Sequence, residues 1–254
     1  MQASLLPHAS LPMYDFPAIR GATDRYWQAI RSALGQGPRE LVRDGDVWRG
    51  WQDPDLLLSQ TCGLPFRSRL KGKVALVGTP DFGLPGCGPG EYNSVFVGRK
   101  DDPRNDLTDF EGAKFAVNEF GSQSGWAAPI MYTRSQNVAF GGFLKTGAHI
   151  ASAEAVAKGR ADIAALDGVG WRFMGAEGTL SRKLKAIDIT PPTPGLPYIT
   201  SLKNDPTQIF SAVEHAIASL SQADRDALGL KGLVWIAPDR YTAVPTPAPP
   251  GISL

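Results

Sequence analysis

Apolar runs of four to seven residues alternate along the chain with longer stretches whose apolar positions recur at helical spacing. "ASLPMY", residues 9–14, reads as a first strand that ends at an Asp-Phe-Pro turn. "ATDRYWQAIRSALG", residues 22–35, puts Tyr26, Trp27, Ile30, Ala33 and Leu34 on one face and closes with Gly35, which predicts a helix with a glycine cap. Residues 53–63 predict a buried strand that delivers Ser59, Gln60 and Thr61 to a loop, and residues 72–82 a second strand. A Gly/Pro loop then leads into a strand from Tyr92 to Arg99, and a polar turn into another from Lys114 to Asn118.

After the Ser122-Gln123-Ser124-Gly125 run a helix is expected near residues 126–136. A short strand in "NVAFGGFLKTG" and a helix over 149–159 follow, then a buried strand, Ile163–Leu166, that ends at Asp167. A returning strand with a Pro-rich turn precedes one or two amphipathic helices over 205–230 and a terminal strand or loop in "GLVWIAPDRY". The Pro-rich segment 245–254 reads as a disordered tail. This alternation predicts an α/β protein with parallel sheets, in which ligands are met at the carboxyl ends of strands.

Composition narrows the picture by exclusion. The net charge is +1 and the basic residues are dispersed, which argues against nucleic acid and membrane surfaces. No stretch reaches the ~20 apolar residues of a membrane span. The first residues lack the basic and apolar regions of a secretory signal, which taken alone points to the cytoplasm. Cys62 and Cys87 have no CxxC spacing, so no zinc knot or disulfide framework is indicated; the spacing favours two thiols over one disulfide.

Candidate ligand groups share one position, the loop after a strand: Tyr14, Gln60, Thr61, Tyr92, Ser94, Ser122 to Gly125, His149 and Asp167. Each has a plainer reading. Ser122 and Asp167 suit helix caps, and the tyrosines suit the edge of a core. The run from Ser122 to Gly125 also suits an anion, because the first N–H groups of a helix and its dipole attract negative charge. There is no GxSxG elbow, P-loop, HExxH or GxGxxG opening a helix, so no catalytic residue and no metal ligand is singled out. A Cys62, His149 and Asp167 trio is the one enzymatic alternative.

Four motifs, together with "GEYNSVFVGRKD" (residues 90–101), carry a resemblance. Leu107 to Ala116 follows L-x-x-L-x-G-x-x-F-A except that Phe110 replaces the second Leu, and Ser122 to Gly125 follows S-x-S-G. Gly147-Ala148-His149 with Ser152 follows G-x-H-x-x-S, and Gly159 to Asp167 follows G-x-A-D-x-A-x-x-D. In this the chain resembles the phosphate/phosphonate solute-binding proteins of ABC transporters over roughly residues 9–240. The resemblance implies the two-lobed class II periplasmic-binding-protein fold, with a ligand cleft between lobes formed by residues 1–96 with 185–254 and by 97–184. It implies that Ser122, Gln123, Ser124 and Gly125 hold the anion, that His149 and Asp167 face it, and that Tyr14 and Tyr92 close over it. It further implies a small oxyanion ligand, an ABC permease as partner, a periplasmic location, a monomer and no cofactor. The family's second acidic group, which holds a ligand's amino group, has no match.

Overall fold

A computed structural model describes residues 8–250, and the chain divides into two compact units. Unit one comprises residues up to 83, 88–91 and 194–242; unit two comprises 84–87, 92–193 and the residues from 243 onward. The strands are β1 (His8–Ser10), β2 (Leu56–Gln60), β3 (Val74–Asp81), β4 (Glu91–Tyr92), β5 (Ser94–Arg99), β6 (Lys114–Val117), β7 (Gly142–Lys145), β8 (Ile163–Asp167), β9 (Leu184–Ile189), β10 (Thr193–Pro194), β11 (Tyr198–Ser201) and β12 (Gly232–Val234). The helices are α1 (Arg20–Leu34), α2 (Val47–Trp51), α3 (Gly63–Pro65), α4 (Ala128–Ser135), α5 (His149–Ala157), α6 (Gly168–Glu177), α7 (Pro206–Ser219), α8 (Gln222–Leu228) and α9 (Pro238–Thr242).

Unit one holds a five-stranded sheet in the order β1-β2-β11-β3-β12. Helix α1 buries Tyr26, Trp27, Ile30 and Leu34 as the pattern predicts, and Gly35 ends it in the left-handed region at φ 69°. Ala33 was expected on that face but is exposed, because the stripe is narrower than helical spacing alone suggests. The expected strand 9–14 stops at Ser10: Pro12 has no N–H for a ladder, and Pro12–Tyr14 turns as a single 3₁₀ turn. Trp51, Leu56, Phe66, Ile199 and Tyr241 form the core, and the Tyr241 hydroxyl lies 2.6 Å from Thr79 Oγ1.

Unit two holds the other five-stranded sheet, β7-β6-β8-β5-β9. Strands β6, β7 and β8 are parallel, whereas β5 runs antiparallel to β8 and β9. The all-parallel expectation is thus corrected in both sheets, since β11 and β12 also pair antiparallel with their neighbours. The physical reason is connectivity. β5 enters unit two and β9 leaves it, and strands of opposite direction side by side form an antiparallel ladder.

That ladder also moves the unit boundaries away from the expected breaks after residues 96 and 184. Ser94 and Val95 pair with Asp167 and Leu166, so β5 belongs whole to unit two, and β9 follows it. Residues 243–250 pack on unit two: Pro247 is buried, and Trp126 Nε1 donates to its carbonyl at 3.4 Å. The expected tail is therefore packed over 245–250, and its last residues, 251–254, lie outside the described residues. No described helix is long and apolar enough to cross a membrane.

Candidate functional site

Parallel strands β6, β7 and β8 all point their carboxyl ends to one edge of the unit-two sheet. Because β5 runs the other way, its first residue, Ser94, reaches the same edge in register with Asp167. The edge therefore collects the Ser122 to Gly125 run after β6, Thr146 to His149 after β7, Asp167 at the end of β8, and Ser94 with the preceding Tyr92. All eight of the candidate positions in unit two converge here through sheet register.

At the first helix start Ser122 is the cap. Its backbone is extended and its Oγ accepts from Gly125 N at 3.0 Å. The following turn, Gln123–Ala127, has π-type spacing and runs on into α4. The leading N–H groups of such a helix find no acceptor inside it. Trp126 anchors the turn from below, edge-on to Phe120 at 4.9 Å and Phe143 at 5.2 Å, within a core that includes Phe96, Phe115 and Ile163. Burying an aromatic of this size stabilises by about 2–3 kcal/mol, which fixes the turn above it.

Ser124 is buried, and its Oγ lies 2.9 Å from His149 Nε2, the first residue of α5. Burial pushes the His149 imidazole down to about 4, outweighing an opposing backbone interaction with Ala165, so the ring is neutral at pH 7. That shift disfavours a cationic His149 near neutrality. Thr146 Oγ1 and Ser152 Oγ, 2.6 Å apart, pin the loop that presents the histidine.

Asp167 is buried and caps α6: its Oδ1 accepts from Val169 N at 2.8 Å and Gly170 N at 3.0 Å. Gly168 lets the strand turn into that helix against Asn93. Gly168 N donates to Asn93 O at 3.0 Å, and a Cβ there would run into the Asn93 side chain. Ser94 N donates to Thr190 Oγ1 at 2.9 Å, and Tyr92 is buried.

Tyr14, Gln60 and Thr61 belong to unit one, where β1 and β2 run parallel and end on a common edge. Tyr14 packs edge-on to Phe82 at 5.2 Å. Gln60 spends its amide on Leu196 O at 3.1 Å, and Thr61 is buried with its N–H on Pro197 O. Cys62 and Cys87 are half-buried thiols, Cys62 in unit one and Cys87 in unit two.

Sequence reading missed Asn118. It follows β6 directly, its Oδ1 is buried against Gly125, and that oxygen accepts no hydrogen bond from the described residues. The available signal was one amide between a buried strand and the Ser122 run. Beside the same helix start, Ala127, Met131, Tyr132, Pro191 and Val244 line a mostly apolar cavity of about 200 Å3, less suited to an anion than the polar edge.

A family model described as "ABC transporter, phosphonate, periplasmic substrate-binding protein" matches residues 70–243. No curated protein sequence matches the chain. Among solved structures, PhnD1 of Prochlorococcus marinus with methylphosphonate is similar at 17% identity over 92% of this chain and 94% of that one, TM-score 0.74. PA3383 of Pseudomonas aeruginosa, a binding protein of an ABC phosphonate transporter, is similar at 16% identity over 93% and 84%, TM-score 0.69. XAC2383 of Xanthomonas citri, with chloride bound, is similar at 18% identity over 92% of each chain, TM-score 0.62. These likenesses share the class II periplasmic-binding fold with the two α/β units described above. On the family match, the chain belongs to the periplasmic substrate-binding proteins of phosphonate ABC transporters.

Proposed function

We propose that this chain binds phosphate or a phosphonate at the strand-end edge of unit two and delivers it to an ABC permease. The carrying observation is the Ser122 to Gly125 run, which opens a buried helix start while Ser124 Oγ rests on a neutral imidazole 2.9 Å away. Helix N–H groups and the Ser124 hydroxyl can hold anionic oxygens without a lysine or arginine. Ser94, Tyr92, His149 and Asp167 complete the set. Membership of a solute-binding family, together with Asp167 Oδ1 engaged in capping, favours binding without turnover over chemistry by Cys62, His149 or Asp167.

Calorimetric titration of the purified protein with phosphate and methylphosphonate tests this, with native mass spectrometry before and after incubation. The expected result is saturable binding with the ligand recovered unchanged. Ser124→Ala should lose one hydrogen bond to a charged group, about 1.5–3 kcal/mol, or roughly 10- to 150-fold in affinity. Affinity equal to wild type in Ser124→Ala, or consumption of the ligand, overturns the reading.

A further inference from the structure

We infer that Asn118 is a ligand-contact residue of this edge, its side-chain Nδ2 donating to an oxygen of the bound oxyanion. The inference deepens the reading above and rests on it. Asn118 leaves β6 at the point where the chain turns toward Ser122, and its backbone is fixed there because its carbonyl accepts from Gly147 N at 2.9 Å. The side chain lies against the face of Gly125 that has no Cβ. A Cβ at residue 125 would overlap Asn118 Oδ1, would come 2.8 Å from its Cγ, and would come 3.3 Å from His149 Cε1. With Oδ1 the end nearest Gly125, the planar amide turns Nδ2 the other way.

The buried Oδ1 accepts no hydrogen bond from the described residues, which is unfavourable for an amide oxygen. An apolar side chain would fill that space without the penalty. The fold alone therefore gives no reason for an amide here, whereas an oxyanion would give one: the side chain packs on Gly125, the residue after Ser124, and its Nδ2 is a neutral donor. Gly125 then has a double purpose. Its N–H is capped by Ser122 Oγ, and its missing side chain makes the space in which the Asn118 amide is held.

The test is titration of wild type, Asn118→Ala and Asn118→Asp with methylphosphonate, at a pH below and a pH above its second ionisation, with a thermal melt of each protein. Asn118→Ala should bind roughly 10- to 150-fold more weakly at both pH values with little change in melting. Asn118→Asp keeps the shape but sets a carboxylate where the donor was. Its deficit should exceed that of the alanine variant and widen as the ligand becomes a dianion, a change that a merely structural role would not produce. If both variants bind within about twofold of wild type, the donor role is wrong while the oxyanion reading stands. If wild type binds neither methylphosphonate nor phosphate, both fall together.

Discussion

Replacing Gly125 with alanine separates packing from backbone effects at the turn that follows Ser122. The backbone of Gly125 lies within an α/π turn and outside the positive-φ region, so alanine can adopt it. Intrinsically the change should stabilise a helical position by about 0.5–1 kcal/mol. Against this stands the overlap with Asn118 Oδ1, the 2.8 Å approach to its Cγ and the 3.3 Å approach to His149 Cε1. The last can be relieved by a few tenths of an ångström; the first two require the amide to rotate away or the turn to shift. Overpacking of this kind costs about 1–3 kcal/mol. A shift of the turn would also strain the Ser122 cap, itself worth about 1 kcal/mol.

The single variant should therefore be destabilised by about 0–2.5 kcal/mol before any strain at the cap. That range is too wide to decide by itself, and the double-mutant cycle with Asn118→Ala is sharper. Without the amide, alanine at 125 should become neutral or stabilising, so the coupling between the two sites should be about 1–3 kcal/mol. Urea unfolding of the four proteins, followed by circular dichroism, measures it. A coupling below about 0.5 kcal/mol would show that Asn118 does not occupy the space that Gly125 leaves open.

Two further outcomes concern acid. The folded pKa of His149, about 4, lies below its ordinary 6.5, so the unfolded chain binds the extra proton first and stability should fall as pH drops from 6.5 to 4. The residue is half-buried, so the loss is at most about 3 kcal/mol, and His149→Gln should flatten the stability curve in that window. Asp102 is held at about 2, chiefly by hydrogen bonds from the Arg104 side chain at 2.7 and 2.9 Å, so its contribution is present above its ordinary 3.8 and is lost as pH falls toward 2. Asp102→Asn should cost about 2 kcal/mol at pH 7 and remove the slope between pH 4 and 2, read from thermal melts across pH.

Much of this architecture can be read from the sequence because its strands are short, apolar and followed at once by polar residues. Phe115-Ala116-Val117 and Ile163 to Leu166 are wholly buried, and the residues after them, Ser122 and Asp167, cap helices as their chemistry suggests. Strand direction could not be read, since an apolar run looks the same whichever way it points; hence the unforeseen antiparallel β5, β9, β11 and β12. The pairing of Ser124 with His149 was equally hidden. The two are 25 residues apart and meet only because β6 and β7 are neighbours in register, Val117 opposite Lys145. Asn118 was missed for a third reason. One amide after a strand has the composition of any loop, and the space it fills is created by the absent side chain of Gly125.

On the function proposed above, an anion would be held beside a buried carboxylate and a neutral imidazole, and the same features account for how. Asp167 already has its charge met by two backbone N–H groups of α6, and Lys145 at the end of β7 is engaged with Glu119 at 2.7 Å. The attraction left for a ligand comes from oriented N–H and O–H groups, whose influence falls off within about one helical turn. A ligand must therefore be in contact before it is favoured, and net charge at a distance does little to select it. On that proposal, selection would depend on how many oxygens reach the fixed donors around Ser122 to Gly125 and on whether a protonated oxygen or a cationic group meets Asp167. A methyl group in place of one oxygen changes those counts, so at the proposed site phosphate and a phosphonate would differ in contact geometry before they differ in charge.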